Sequence, residues 1–423
     1  MNAHKRVVIT GVGMINPCGA SAGAFLDAVE NGRCCVLEAD SETAGEISCR
    51  YCGKIKDFDP ASFLKNKKSA KFMGRDSLLG IYAAGAALRD ARVETEADFL
   101  QNAGVYVSSG LTCGTLGDIL PAVEDSICGG AFSLEVFGKR SLYKCNPLLS
   151  FKILTNMPAS FISIEFGLKG PNLIFNPYSA QGAQAVGEAF EAVSGGALRF
   201  ALAGSSESRL HYAASGTADE IAGIYKGGTR DGFSPRPLDR ERAGIIPSEG
   251  SAFIVMESFE SAVERKAHIY AEVAAYSQAN IASAELAADS MKRCMETACE
   301  KASVQAEDIG LVVSGAAGSV KKDEAEGLAL ESIFKKTRSL IFTPKYYYGE
   351  MGAPSFATGL VLGAMLIDKK LSPPAAEESG CEFKISRAGY SLTAKKIKYV
   401  MINAFESGTT VACLIIRGVE RDE

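Results

Sequence analysis

The chain has 423 residues, 47% of them hydrophobic and 22% charged, so it carries ample apolar material for a packed core and is not a disordered chain. Its formal net charge of −5 and sequence pI near 5.6 exclude an overall basic field for nucleic acid or anionic membrane. The opening MNAHKRVVITGVG lacks the apolar core of a signal peptide, and no apolar run approaches the roughly 20 residues a bilayer span needs, so a cytoplasmic location is expected.

In chain order, residues 6–10 read as a short buried strand that leaves through a tight turn at GVG. The text continues MINPCG, with a proline where a dinucleotide-binding helix would begin, which argues against a Rossmann fingerprint. The twelve cysteines are expected to be free and mostly buried. Cys34, Cys35, Cys49 and Cys52 bring four sulfurs close in sequence, but adjacent Cys34 and Cys35 cannot easily turn towards one tetrahedral ion, so packing is expected and no metal. No other cofactor is expected.

Residues 77–91 form an amphipathic helix, with Leu78, Leu79, Tyr82, Ala83, Ala86 and Leu88 on one continuous face. A strand follows at 104–109, a helix at 182–193, and strands at 199–204 and 251–256. After Glu257 the pattern begins again: strand 269–276, helix 284–302, strand 309–314, helix 323–334, strand 340–342, helix 356–367, and strands 399–403 and 410–416. This alternation signals an α/β fold, and its repetition predicts two similar halves, 1–257 and 258–423, packed as one rigid body. The stretch 118–147, broken by CGG and GKR, is the least regular and is expected to line an interface or a pocket mouth.

Six ordered stretches carry a family resemblance: RVVITGVGMINPCG, NMPASFISIEFGLKGPN, SPRPLDRERAGIIPSEGSAFIVMES, RKAHIYAEV, DEAEGLALESIF and AFESGTTVACLI. Together they resemble the condensing enzymes of fatty acid and polyketide synthesis, the β-ketoacyl-acyl-carrier-protein synthases, over nearly the whole chain. The resemblance implies a thiolase-like fold, two similar βα halves in a five-layer αβαβα arrangement, with a pocket between the halves and a paired dimer.

Decarboxylative condensation needs a thiolate to hold the acyl chain and donors for the oxyanion and enolate that form. In the family a Cys at a helix N-terminus and two His residues supply them. Here the nucleophile block reads NPYSAQGAQAVGEAF, and aligning Gly182 and Gly187 with the family glycines puts Ser179 where the Cys belongs. The loop VVSGAAGSVKKDEAE puts Gly315 at the first His position. KYYYGEMGAP puts Glu350 at the second when Lys345 anchors the alignment, or Gly349 when the following text does. The loop that gates the acyl pocket in the family reads FESGTTV, with Ser407 at the usual phenylalanine and Phe405 just before it. The chain's three histidines, His4, His211 and His268, fall at neither family position.

The resemblance therefore implies a chain-length-factor-like subunit that lacks the Cys-His-His triad, pairs with a catalytic ketosynthase and shapes the acyl pocket. Two other readings are open. Ser179 is either a small filler at the turn or a nucleophile served by Glu350 or His211, which would make the chain an acyltransferase or hydrolase. The chain could also act as a homodimeric acyl- or carrier-binding protein. Lys65, Lys67, Lys68, Lys71 and Arg75 form a local basic cluster in the region that helps dock acyl carrier protein in the family; it reads equally as a solvated face. Tyr346, Tyr347 and Tyr348 either fill the pocket or pack at the seam.

Overall fold

A computed structural model of the chain describes residues 4–93, 97–111, 114–176, 180–216, 223–226, 235–376, 380–406 and 410–419. Ten strands form the main sheet. They are β1 (Val7–Ile15), β2 (Gly104–Ser109), β3 (Asn172–Phe175), β4 (Phe200–Ser208), β5 (Glu249–Ser258), β6 (Ala271–Asn280), β7 (Ile309–Val313), β8 (Leu340–Phe342), β9 (Tyr399–Glu406) and β10 (Thr410–Arg417). Their order is β3-β2-β4-β5-β1-β6-β10-β9-β7-β8. In the first five, β2 runs parallel to β3 and β4, while β5 is antiparallel to β4 and β1. In the second five, β7 runs parallel to β8 and β9, while β10 is antiparallel to β9 and β6. The two topologies are the same, and they join where Val7, Val8 and Ile9 pair antiparallel with Val273, Glu272 and Ala271.

Six principal helices complete the layers: α1 (Arg75–Asp90), α2 (Met157–Phe166), α3 (Ala180–Ser194), α4 (Ala287–Ala302), α5 (Val320–Phe334) and α6 (Pro354–Lys369). Helices α1 and α2 cover one outer face, sharing a core with β2, β4 and β5, and α4 and α5 cover the other. Between the halves lie α3 and α6, in a central core that takes side chains from both. Every residue of α6 from Pro354 to Ile367 is buried, which explains a sequence apolar on all sides: a helix enclosed between the two halves of the sheet has no solvent face to keep polar. This is the thiolase-like α/β layered arrangement. Among the described residues no helix is long and apolar enough to cross a membrane.

Three local expectations are corrected. The GVG after residue 10 is not a turn, because β1 continues through it to Ile15. A Cβ on Gly11 would lie 2.4 Å from the Ala87 carbonyl oxygen, and one on Gly13 2.2 Å from that of Ala83, so these glycines let α1 lie directly on the strand. The irregular stretch 118–147 opens inside a helix, Leu116–Asp125, whose Thr115 and Asp118 form a capping box. The strand β3 and helix α2 were not expected at all.

Candidate functional site

The C-terminal ends of β7, β8 and β9 point at one place, the usual position of a site in a parallel α/β sheet. From β7 the chain turns through Ser314 and Gly315 into α5. From β8 it passes through a short helix, Lys345–Tyr348, then Gly349 and Glu350, into α6. From β9 come Asn403 and Phe405. A void of only about 10 Å³ remains between them, lined by Gly315, Lys345, Ser355, Asn403 and Phe405 among others.

Lys345 and Glu350 are both buried, and the Lys345 ammonium donates to Glu350 Oε2 at 2.6 Å and to the Gly315 carbonyl oxygen at 2.7 Å. Glu350 Oε1 accepts from the Gly352 N–H at 2.7 Å and from the Ser355 hydroxyl at 3.1 Å. Burial alone would raise this carboxyl, but the charge of Lys345, with Arg209 beyond it, holds it at about 2. A carboxylate so stabilised is a poor proton acceptor.

Gly315, expected from the sequence at the first His position, meets a second acid. Its N–H donates to Glu326 Oε1 at 3.0 Å, and burial pushes the Glu326 carboxyl up to about 7. Helix α3 begins beside this site. A Cβ on Gly182 would come within 2.2 Å of the Ala353 carbonyl oxygen, so only glycine allows the start of α3 to touch the segment leading into α6. Ser179 and Ser407 lie outside the described residues, whereas Phe405 is buried against the void.

None of the three histidines lines this void. The His4 ring meets the Ser194 hydroxyl at 3.3 Å, and His268 meets Asp368 at 3.1 Å near the surface. His211 is buried, and its Nδ1 accepts from the Ala214 N–H at 3.2 Å while Nε2 faces the Leu111 carbonyl oxygen at 3.2 Å. Those partners fix a neutral ring protonated at Nε2, whose only lone pair is already occupied. Burial lowers its pKa to about 4, in keeping with a neutral ring.

Tyr347 and Tyr348 are completely buried and pack on Phe25 in the central core. Cys18, Cys35, Cys49 and Cys52 are buried free thiols, and Cys34 is partly buried. Of the basic cluster, Lys65, Lys67, Lys68 and Lys71 are exposed on the approach to α1. Lys65 folds back, its ammonium donating to the Glu165 carbonyl oxygen. Arg75 does not join that face: its guanidinium grips Glu249 at 2.7 and 3.0 Å and covers the Phe58 ring. It lines instead a cavity of about 570 Å³ with Asp76, Glu46 and His211, a feature the sequence did not single out because its residues come from distant segments.

The edges of the sheet differ. At β8, Ile341 exchanges backbone hydrogen bonds with Ser386 and Ala388, which covers that edge. At the other end β3 pairs only with β2 among the described residues. Several large apolar side chains are exposed, among them Leu134 (74% exposed), Tyr143 (76%) and Ile164 (76%), the last on α2, which is hydrogen-bonded to β3 through Ser163 and Asn172.

Residues 4–262 match the family described as Beta-ketoacyl synthase, N-terminal domain, and residues 270–378 match Beta-ketoacyl synthase, C-terminal domain. The chain is similar to the 3-oxoacyl-acyl-carrier-protein synthase 2 of a Synechocystis strain, 29% identical over 275 residues, 64% of this chain and 62% of that protein. It is 26% identical to the Vibrio harveyi protein of the same name, with 99% of each covered. Among solved structures it is similar to one titled the ishigamide ketosynthase/chain length factor, at a TM-score of 0.83 and 22% identity, covering 99% of this chain and 100% of that one. With both family domains matched in order across most of its length, the chain belongs to the β-ketoacyl synthase family.

Proposed function

We propose that this protein is a non-condensing, chain-length-factor-like subunit of a fatty acid or polyketide synthase, which works in the cytosol, pairs with a catalytic ketosynthase and shapes the acyl pocket. The observation that carries the reading is the Lys345–Glu350–Gly315 linkage, a closed ion pair beside a void lined by neither histidine nor cysteine among the described residues. Condensation needs a nucleophile and groups that stabilise the enolate and oxyanion, and a carboxylate held at about 2 and fully hydrogen-bonded offers none of these. With Ser179 at the nucleophile position, Gly315 and Glu350 at the histidine positions and Ser407 at the gate, no triad is left to act.

The open β3 edge and the exposed Ile164 on α2 beside it support a partner on that side, since such an edge is normally covered. The relative titled as a ketosynthase/chain length factor supports the kind of partner. Exposed Lys67, Lys68 and Lys71 then supply a docking face for an acidic acyl carrier protein.

The test is co-expression with a ketosynthase encoded nearby, followed by assay of each chain alone and together with malonyl-loaded carrier. A stoichiometric heterodimer whose condensation depends on the partner's cysteine is the expected result. A homodimer that elongates acyl groups unaided, with activity lost in Ser179→Ala, would overturn the reading.

A further inference from the structure

All the described cysteines are free thiols, and two of them, Cys18 and Cys35, meet at one backbone carbonyl. Cys18 follows β1. Cys35 follows the helix Ala22–Glu30, after the chain turns back at Gly32 (φ 62°). The Tyr347 carbonyl oxygen accepts from the Cys18 thiol at 3.6 Å and from the Cys35 N–H at 2.7 Å, which sets the two segments side by side. Both residues belong to the central core, at 6% and 9% exposure, so packing as well as hydrogen bonding holds them there.

The two sulfurs also interact with each other, and their surroundings are unequal. The Cys35 sulfur accepts from the Arg33 guanidinium at 3.7 Å. Arg33 also reaches Asp27 at 3.3 Å, but both of those side chains are at least half exposed, so solvent screens that pair. The contact with Cys18 and the charge of Arg33 lower the Cys35 thiol below its ordinary value against the effect of burial. The contact with Cys35 and burial raise the Cys18 thiol. Other deeply buried thiols, such as Cys49, Cys52, Cys294 and Cys413, are raised by burial.

No group of three or more metal-ligating side chains occurs among the described residues, so a chelated metal ion does not fit this pair. Neither sulfur lines the void beside Gly315 or the larger cavity at Arg75, so the pair stands outside the site already described. A cysteine that gives up its proton readily, beside one that keeps it, supplies the nucleophile and the resolving thiol of a two-electron oxidation.

We propose that Cys18 and Cys35 are a modification site for hydrogen peroxide that closes to a reversible disulfide, with Cys35 as the nucleophile and Cys18 as the resolving thiol. The Cys35 thiolate attacks one peroxide oxygen, the O–O bond breaks and hydroxide leaves, so the sulfur is oxidised by two electrons to a sulfenic acid while the peroxide is reduced. The Cys18 sulfur then attacks the Cys35 sulfur. The S–S bond forms, the S–O bond breaks, and the hydroxyl leaves with the Cys18 proton as water. An added dithiol reverses the bond by exchange and is itself oxidised.

The test is peptide mapping by mass spectrometry of the full-length protein, reduced, treated with hydrogen peroxide and then alkylated without reductant. A peptide linked through Cys18 and Cys35, lost on treatment with dithiothreitol, is the expected product. Cys18→Ser should leave a Cys35 sulfenic acid that dimedone traps, and Arg33→Gln, a change at a half-exposed side chain, should slow the crosslink several-fold. The proposal is overturned if no linked peptide forms at a dose that oxidises the exposed Cys128, if Cys18 or Cys35 links to another cysteine instead, if dimedone leaves Cys35 unlabelled in folded Cys18→Ser, or if Arg33→Gln crosslinks as fast as the parent. If Cys18→Ser does not fold, as judged by its melting curve, the parent chain and Arg33→Gln decide: a slower Cys18–Cys35 crosslink supports the site and an equal rate overturns it.

Discussion

Lys345 ties together two segments that the fold brings from different strands, donating to Glu350 Oε2 at 2.6 Å and to the Gly315 carbonyl oxygen at 2.7 Å. Both side chains are buried, so the pair is not a screened surface contact. Lys345→Met leaves a buried carboxylate without its cation and is expected to cost about 3–5 kcal/mol, read from the urea midpoint. Replacing both residues by methionine should cost less than the single change. The pH dependence has a fixed sign. Glu350 is held at about 2 against an ordinary 4.5, so its stabilisation is present above the ordinary value and lost as pH falls through about 2. A single-variant cost near zero would show that the pair does not hold this site together.

Asp76 has the opposite sign. Its carboxyl is raised from an ordinary 3.8 to about 7 by burial, so the proton it keeps in the folded protein favours folding below the ordinary value. That contribution is lost as pH rises through about 7. Asp76→Asn removes the slope, and relative to the parent chain it should gain on the order of a few kcal/mol in going from about pH 4 to pH 8. Chemical denaturation at the two pH values measures the difference, and an unchanged difference would mean that Asp76 is solvated in the folded protein.

The alternation of buried strands and helices made the α/β organisation legible, because burial on both faces writes continuous apolar runs into β5 and β10 and apolar residues onto every face of α6. Periodicity could not separate a turn glycine from one that admits a helix, so β1 was cut short at Gly11. Helix α2 was missed because it carries apolar residues on all sides, and β3 because it is a four-residue, partly exposed edge strand. The helix Leu116–Asp125 was hidden by Pro121 within it. At the site, Lys345 and Glu350 stand five positions apart, so an ion pair between them is within local reach of the sequence. The polar cavity was not legible. Asp76 reads in sequence as an ordinary acid in the first turn of α1, and only the packing of Ser109 and the β4 and β5 ends shows it to be buried.

On the proposed reading, in which Ser179 stands at the nucleophile position and both imidazoles are lost, a thiol alone will not give condensation. Ser179→Cys is expected to become alkylated by iodoacetamide at its new thiol yet to condense malonyl-loaded carrier no faster than the parent chain. Condensation by this single variant would show that the remaining groups suffice for the chemistry.

The exposed apolar side chains offer a second measurement. Leu134 is 74% exposed and Ile164 76%, so changing each to aspartate removes no core contact. Leu134→Asp and Ile164→Asp should leave the melting temperature of the isolated chain nearly unchanged while weakening co-purification with a ketosynthase partner at least tenfold, because charge is depleted at interface cores. Unaltered pairing in the double variant would place the partner elsewhere.

Lys67, Lys68 and Lys71 lie on a six-residue 3₁₀ stretch, Lys67–Phe72, just ahead of α1, exposed and without a carboxylate partner among the ion pairs described. Their charge is therefore available to a carrier protein, whereas that of Arg75 is consumed by Glu249. Reversing Lys67, Lys68 and Lys71 to glutamate should slow carrier association by at least tenfold at low salt and leave the chain's stability nearly untouched, since exposed charges contribute little to folding. Raising the ionic strength should shrink the gap between parent and variant, because a contact that steers through solvent is screened over about 10 Å at 0.1 M salt. Stopped-flow association at two salt concentrations measures both effects. Equal rates for parent and variant at low salt would assign these lysines to a solvated face.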